Sequence, residues 1–182
     1  MKRPAIFLDR DGTLVEEVNY LHRPEDMRLF PFTKHALEAF KKAGYLVVVV
    51  TNQSGIGRGI YSEADMQAVH AAMQDQLSGL IDGFYHCPHL PCDGCECRKP
   101  ALKMIQDAEL DLDIDLENSW MVGDKQIDIE TGHAAGMRTA LVLTGYGASH
   151  QKTLERQPEV VASDLGEAAE DILRLTSAEI VV

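Results

Sequence analysis

Ile6-Phe7-Leu8-Asp9-Arg10-Asp11-Gly12-Thr13 is an apolar segment that ends abruptly in two carboxylates one residue apart, followed by a glycine. In an extended chain, side chains at i and i+2 project to one face. The spacing therefore predicts Asp9 and Asp11 on the same side, with Gly12 turning the backbone away. Two like charges held that close repel, and they are tolerated with a cation between them or with one carboxyl protonated. Both conditions suit a carboxylate nucleophile with a neighbouring acid/base. The ordinary alternative is an Asp-Gly turn at a strand end, and the rest of the chain decides between the two.

Apolar runs recur at Ala5 to Leu8, Leu46 to Val50, Gly83 to His86, Trp120 to Val122, Thr139 to Leu143 and Val160 to Ala162. Several are apolar throughout, as are strands of a parallel sheet covered on both faces. Helical patterns alternate with them. Thr33 is placed to cap a helix that carries Ala36, Leu37 and Phe40 on one face and closes at Gly44. Ser62-Glu63-Ala64-Asp65 has the form of a capping box and leads into Met66, Val69, Met73, Leu77 and Leu80. Further helices are predicted near Ala101 to Leu110, with Pro100 marking the first turn, near Gln126 to Ala135, closed by Gly136, and near Gly166 to Leu175. Gly145 to Pro158 reads as a polar surface loop, and Ser177 to Val182 carries no assignment. Strand and helix in alternation imply right-handed crossovers and an open, doubly wound, mainly parallel α/β sheet of the Rossmann-like kind. A chain of 182 residues is most simply one domain spanning 1–182, burying roughly 70% of its unfolded surface.

The formal net charge of −12, from 17 basic and 29 acidic residues, argues against binding to nucleic acid or to an anionic membrane surface. A phosphate ligand must therefore find a local positive site. No apolar run approaches the ~20 residues of a membrane span, and Met1-Lys2-Arg3-Pro4 runs straight into a strand without a signal-peptide core. A cytoplasmic protein acting as a monomer is the expectation.

In a doubly wound sheet the ligand sits beyond the carboxyl ends of the strands, where strand order reverses. After Leu46 to Val50 comes Thr51-Asn52-Gln53-Ser54-Gly55, and after Trp120 to Val122 comes Gly123-Asp124-Lys125-Gln126-Ile127-Asp128. Between them, Arg98-Lys99-Pro100 supplies two cations ahead of a helix. All four cysteines lie between Cys87 and Cys97, and such clustering in a reducing compartment points to metal before disulfide. Cys87-Pro88-His89 and Cys95-Glu96-Cys97 offer four soft ligands in two chelating pairs, the donor set of a closed, structural zinc site. Cys92 and His86 stand as further candidates. Cys97 is two residues from Lys99, so zinc there would position the lysine.

Asp9-x-Asp11-Gly12-Thr13, Thr51, Lys99 and Gly123-Asp124-x-x-x-Asp128 together resemble the four motifs of the haloacid dehalogenase superfamily of aspartate-dependent phosphatases. The resemblance runs from about Ile6 to Leu143 and implies a Rossmann-like fold. It implies that Asp9 attacks phosphorus to give an aspartyl phosphate, and that Asp11 protonates the leaving alkoxide and then deprotonates the hydrolytic water. It further implies Mg²⁺ on the Asp9 carboxylate, the Asp11 carbonyl and Asp124, and Thr51 and Lys99 on the phosphoryl oxygens, with Arg98 adding charge. Asp128 would orient Lys99 or a metal-bound water.

The zinc loop directly before Arg98-Lys99-Pro100 resembles one branch of that superfamily, the histidinol-phosphate phosphatases and the heptose 1,7-bisphosphate 7-phosphatases that supply heptose for lipopolysaccharide. Asn19-Tyr20-Leu21-His22, Thr51 to Gly59 and Gly123-Asp124-Lys125 are similar to the heptose enzymes. The short zinc loop is more like the histidinol-phosphate ones, so both substrates stay open. The segments Leu14 to Tyr45 and Gln53 to Cys97 leave no room for a cap domain, so specificity would come from loops at the sheet edge. The substrate-contacting set is then Arg10, Glu17, Val18, Asn19, Tyr20, Asn52, Gln53, Ser54, Arg58 and Lys125, together with Asp9, Asp11, Thr51, Arg98 and Lys99, and the ligand a small phosphorylated sugar. Arg58 and Lys125 are the cations expected to meet a second, distal phosphate. Response-regulator receivers share the sheet, the phosphoacceptor aspartate, a Thr and a Lys, but an acid/base at Asp11 promotes loss of the phosphoryl group that a receiver keeps. A non-catalytic zinc scaffold would leave the other motifs without purpose.

Overall fold

The computed structural model describes residues 2–179. Six strands form one sheet, β1 (Ala5–Leu8), β2 (Leu46–Asn52), β3 (Gly83–Cys87), β4 (Trp120–Gly123), β5 (Arg138–Val142) and β6 (Val160–Ala162). Their order is β3-β2-β1-β4-β5-β6, and every neighbouring pair is parallel. The order reverses at β1, which pairs with β2 on one side and with β4 on the other, in the register Leu8↔Val49 and Leu8↔Val122.

The apolar runs become buried strands because each residue has a face to fill. Ile6, Leu8, Val47, Val49, Trp120 and Val122 enter one core cluster, while Ala5, Phe7, Val48, Val50 and Met121 enter the other. Helices α1 (Thr33–Lys42), α3 (Glu63–Gln76) and α7 (Leu165–Glu179) cover the first face, through Leu37, Phe40, Val69, Met73 and Ile172. Helix α4 (Lys103–Leu112) covers the second through Met104, Ile105 and Ala108. Short α2 (Ser54–Gly57) follows β2, α5 (Gln126–Ala134) follows β4, and α6 (Gly147–His150) follows β5.

Several helix ends differ from the sequence reading. The Ser62–Asp65 capping box forms in both directions, and Met66, Val69 and Met73 are buried, but Leu80 lies beyond the end of α3. Thr33 does not cap α1: Phe32 holds that position, and the Thr33 hydroxyl donates to the Leu14 carbonyl at 2.8 Å, tying the helix to the loop after β1. Pro100 precedes α4 in a turn, joined to Lys99 by a cis peptide, rather than opening the helix. The segment read as a polar surface loop after β5 is pinned at its start. The Thr144 hydroxyl donates to the Gly12 carbonyl at 2.6 Å, and the Tyr146 N–H donates to Asp124 Oδ2 at 2.8 Å. Ser177 belongs to α7, while residues 180–182 of the unassigned terminus lie outside the described residues.

Phe40 is fully buried and packs edge-on against Tyr45, with ring centroids 6.4 Å apart. Phe40→Ala should cost about 3–5 kcal/mol and lower the melting temperature by roughly 10 °C, read by thermal denaturation followed by circular dichroism.

Candidate active site

The segments after β1, β2 and β4 meet above the carboxyl edge of the sheet. Asp9 is fixed at its backbone, its N–H donating to the Val122 carbonyl at 3.0 Å, and is 5% exposed. Lys99, 3% exposed, donates from Nζ to Asp9 Oδ1 at 2.9 Å, Asp128 Oδ1 at 2.7 Å and the Val50 carbonyl at 2.8 Å. Burial would raise the Asp9 carboxyl, but Lys99 and then Lys125 override it and hold it below the usual carboxylate range. Burial likewise opposes the charge on Lys99, and the facing carboxylates of Asp128 and Asp9 outweigh it, so the ammonium is held above its ordinary value.

Asp124 is completely buried. Its Oδ2 accepts from the Tyr146 N–H, while among the described residues Oδ1 has no hydrogen-bond partner, and Lys125 Nζ lies 3.5 Å from it. Burial, and next the charge of Asp9, push its carboxyl up to about 7. A buried carboxylate oxygen left unpaired beside a second carboxylate is the donor set a hard divalent cation takes. Gly12 and Gly145, both at positive φ, make that approach possible: a Cβ at either would lie 2.2 Å from Asp124 Oδ2. Asp9, Asp124 and Asp128 offer oxygens close enough to share an ion. Asp128, however, spends Oδ1 on Lys99 and Oδ2 on the Lys125 N–H, 3.1 Å away. It therefore orients the lysine, and Asp9 and Asp124 remain as the carboxylates that fit Mg²⁺.

Asp11 accepts from Arg10 Nε and Nη2 and from Gln53 Nε2, at 3.0, 3.1 and 3.0 Å. The repulsion foreseen between Asp9 and Asp11 is thus relieved by two cations on separate sides, Lys99 and Arg10. Asp9, Asp11, Thr51, Arg98, Lys99 and Lys125 line one cavity of about 130 Å³. A larger one of about 220 Å³ adjoins it, walled by Glu17, Val18, Asn19, Tyr20, Ser54 and Tyr146. Lys125 joins the two: Nζ lies 3.7 Å from Asp9 Oδ2, 3.6 Å from Glu17 Oε2 and 5.2 Å above the Tyr146 ring. Burial and neighbouring Asp11 raise the Glu17 carboxyl, with Lys125 opposing them.

Of the residues assigned to substrate from the sequence, Arg10 and Gln53 line the larger cavity while bonding within the protein, and Arg58 lies outside it. Arg10 is 1% exposed, and its hydrogen bonds run to Asp11, Gln53, His70 and the Leu21 carbonyl. Gln53 is equally buried among protein partners. Arg58 caps α2, exposed, and lies outside the lining of both cavities. The physical cause is the shortness of α2, whose last residue, Gly57, bonds the Pro88 carbonyl at 2.9 Å and draws the turn toward the cysteine loop, away from the cleft. Asn52, also expected at the substrate, clamps the Lys99 backbone, accepting its N–H at 3.0 Å and donating to its carbonyl at 3.3 Å. Tyr61, His70 and Tyr146 were not singled out from the sequence. Only His70 left a trace there, as a polar residue on the buried stripe of α3.

Cys87, His89, Cys95 and Cys97 bring their ligand atoms within 4.8 Å of one another. Cys87 and Cys97 sulfurs are 3.0 Å apart, and His89 Nδ1 is 3.2 Å from Cys97. Three thiols and an imidazole around one point fit zinc. Cys92 is exposed beside Asp93, and His86 Nε2 pairs with Glu63 Oε1 at 3.1 Å, so neither joins the cluster. Arg98 Nη1 donates to the His89 carbonyl at 3.3 Å, linking this loop to the cation pair.

Residues 96–168 match the family model described as "HAD-hyrolase-like". The D-glycero-beta-D-manno-heptose-1,7-bisphosphate 7-phosphatase of Haemophilus ducreyi is 38% identical over 91% of this chain and 96% of its own length. The D-glycero-alpha-D-manno-heptose-1,7-bisphosphate 7-phosphatase of Photorhabdus laumondii is 42% identical over 81% of this chain and 87% of its own. Among solved structures, D,D-heptose 1,7-bisphosphate phosphatase from B. bronchiseptica, complexed with magnesium and phosphate, superposes with a TM-score of 0.88 at 33% identity, covering 94% of this chain and 99% of that one. With the carboxylate pair, the buried lysine and the cysteine cluster in place, the chain belongs to the heptose-bisphosphate phosphatase family of HAD-like hydrolases.

Proposed function

We propose that this protein hydrolyses the 7-phosphate of D-glycero-D-manno-heptose 1,7-bisphosphate through an aspartyl phosphate. The observation that carries the reading is the buried Asp9, held ionised by Lys99 and facing the same cavity as Asp11 and Thr51. An Asp9 carboxylate oxygen attacks phosphorus as the bond to the sugar oxygen breaks, and Asp11 gives its proton to the departing alkoxide. Asp11 then takes a proton from the water that attacks the aspartyl phosphate, which frees Asp9 and inorganic phosphate. Lys99 and Thr51 hold phosphoryl oxygens, and Asp128 keeps Lys99 in line. The Asp9 and Asp124 carboxylates with the Asp11 carbonyl would hold Mg²⁺, which would supply positive charge against the phosphoryl oxygens. Cys87, His89, Cys95 and Cys97 would hold zinc, which would fix the segment that carries Arg98 and Lys99.

With Arg58 outside the cleft, Lys125 and Arg98 are the cations left to meet a distal phosphate. Glu17 in the adjoining cavity favours the second reading, a substrate with a cationic tail such as histidinol phosphate. Phosphate release from a panel of both heptose bisphosphate anomers, histidinol phosphate and fructose 1,6-bisphosphate decides between them. The relatives carry both anomers in their names, so both belong in the panel. The heptose reading predicts the highest kcat/KM on one of its anomers, and preference for histidinol phosphate refutes it.

Asp9→Asn should lower kcat by at least about a thousandfold while leaving the circular dichroism spectrum unchanged. Residual activity within tenfold of wild type would remove Asp9 as the nucleophile.

The two metals should separate. EDTA treatment should abolish activity and added Mg²⁺ restore it, because an oxygen site exchanges readily, whereas zinc should remain with the purified protein. Cys95→Ser should lower zinc content and melting temperature together, and Cys92→Ser should change neither, as measured by elemental analysis and thermal denaturation.

A further inference from the structure

Gln53 is 3% exposed, at the wall of the larger cavity, and lies between two groups that the reaction needs. Its Oε1 accepts from Tyr61 OH at 2.5 Å and Arg10 Nη2 at 3.0 Å, and its Nε2 donates to Thr51 Oγ1 at 2.8 Å and Asp11 Oδ2 at 3.0 Å. We propose that Gln53, locked by Tyr61 and Arg10, is the positioning residue that aims Asp11 and Thr51 together at the phosphoryl group. The proposal rests on the phosphatase reading above and adds to it a residue that acts through others.

The amide has one permissible orientation. A guanidinium only donates, so the amide oxygen must face Arg10, which turns the nitrogen toward Asp11. A flipped amide would set its N–H groups against those of Arg10. Each of the two amide hydrogens then has its own acceptor, and the coupling between Asp11 and Thr51 is built into one planar group. Thr51 receives the Gln53 hydrogen on a lone pair, which leaves its own hydrogen to donate into the cavity it lines with Asp9 and Lys99. Asp11 is held on both oxygens, by Arg10 and by the amide, so its orientation does not depend on the substrate.

Arg10 in turn is braced from behind. Its Nη1 lies 3.3 Å from His70 Nε2, and its Nη2 also reaches the Leu21 carbonyl at 3.4 Å. The histidine contact attracts only if that nitrogen carries the lone pair. Burial, and then the positive charge of Arg10, keep His70 neutral, its pKa pushed down to about 3. His70 stacks on Phe84 with ring centroids 4.5 Å apart, which fixes the imidazole plane. The chain from Phe84 to Thr51 and Asp11 thus runs through the buried side chains of His70, Arg10 and Gln53.

The test uses Gln53→Glu, which keeps the acceptors but cannot donate, Gln53→Met, which does neither, and Tyr61→Phe as a milder perturbation. The substrates are heptose bisphosphate, whose alkoxide needs the Asp11 proton, and p-nitrophenyl phosphate, whose phenolate leaves without one. Both Gln53 variants should lose at least about tenfold in kcat on the heptose ester and several-fold less on the aryl ester, with KM shifting by less than about threefold. Tyr61→Phe should move the same way by a smaller factor. A loss confined to KM, or one equal on both esters, would overturn the proposal. A second arm needs no turnover: the ¹⁵N side-chain amide resonance of Gln53 should shift in Asp11→Asn and in Tyr61→Phe, and an unmoved resonance overturns the coupling. If the wild type hydrolyses neither ester, the phosphatase reading fails by itself, and the resonance arm still decides the positioning role.

Discussion

The ammonium of Lys99 is the point on which the site depends. A lone charge at that depth would be expelled or neutralised, and it persists because two carboxylates and one carbonyl share it. Those partners come from three places: Asp9 follows β1, Val50 lies in β2 and Asp128 is in α5. One side chain therefore fastens both sides of the switch point to the segment after the cysteine loop. Removing either partner of such a buried pair costs on the order of 3–5 kcal/mol, because the other is left uncompensated. The arrangement is consequently weak evidence for stability and strong evidence for a required charge.

Around that point the protein spends its polar residues on holding other residues. Asn52 grips the Lys99 backbone, Gln53 spans Asp11 and Thr51, Arg10 backs Asp11, and Asp128 steadies Lys99. Phosphoryl transfer asks for this, since the chemistry consists mainly of placing charges along the line of displacement. The Glu17–Tyr20 loop and Tyr146 sit farther out, on the walls of the larger cavity.

The sheet and the chemistry could be read from the chain because both follow short-range rules. A strand that ends in carboxylates, a lysine before a helix and two cysteine pairs each carry their meaning within a few residues. Arg58 was misplaced for the opposite reason: its direction is set by the turn of α2 against Pro88, a contact between residues some thirty positions apart. Arg10 and Gln53 read as cleft residues and do line the larger cavity, and their hydrogen bonds show what the sequence does not, that they also brace Asp11. Tyr146 left no periodic signal, because its N–H reaches Asp124 only after the chain has passed through β5. Thr33 has the chemistry of a cap, but a carbonyl in the loop after β1 takes its hydroxyl instead.

The parallel register of β1 with β4, in which Leu8 lies against Val122, sets Asp9 and Asp124 a fixed step beyond the same rung of the sheet. The spacing of the two carboxylates is therefore governed by backbone hydrogen bonds in the stiffest part of the fold, and slippage by one residue would move every side chain of the strand to the opposite core face. Residues Glu17 to Tyr20, on one wall of the larger cavity, belong to a loop that takes no part in that ladder. Substrate choice and chemistry are consequently separable in this architecture. Lineages descending from such a chain can exchange the residues of the Glu17–Tyr20 loop and accept a different phosphate ester, while the sheet that positions the reacting groups stays as it is.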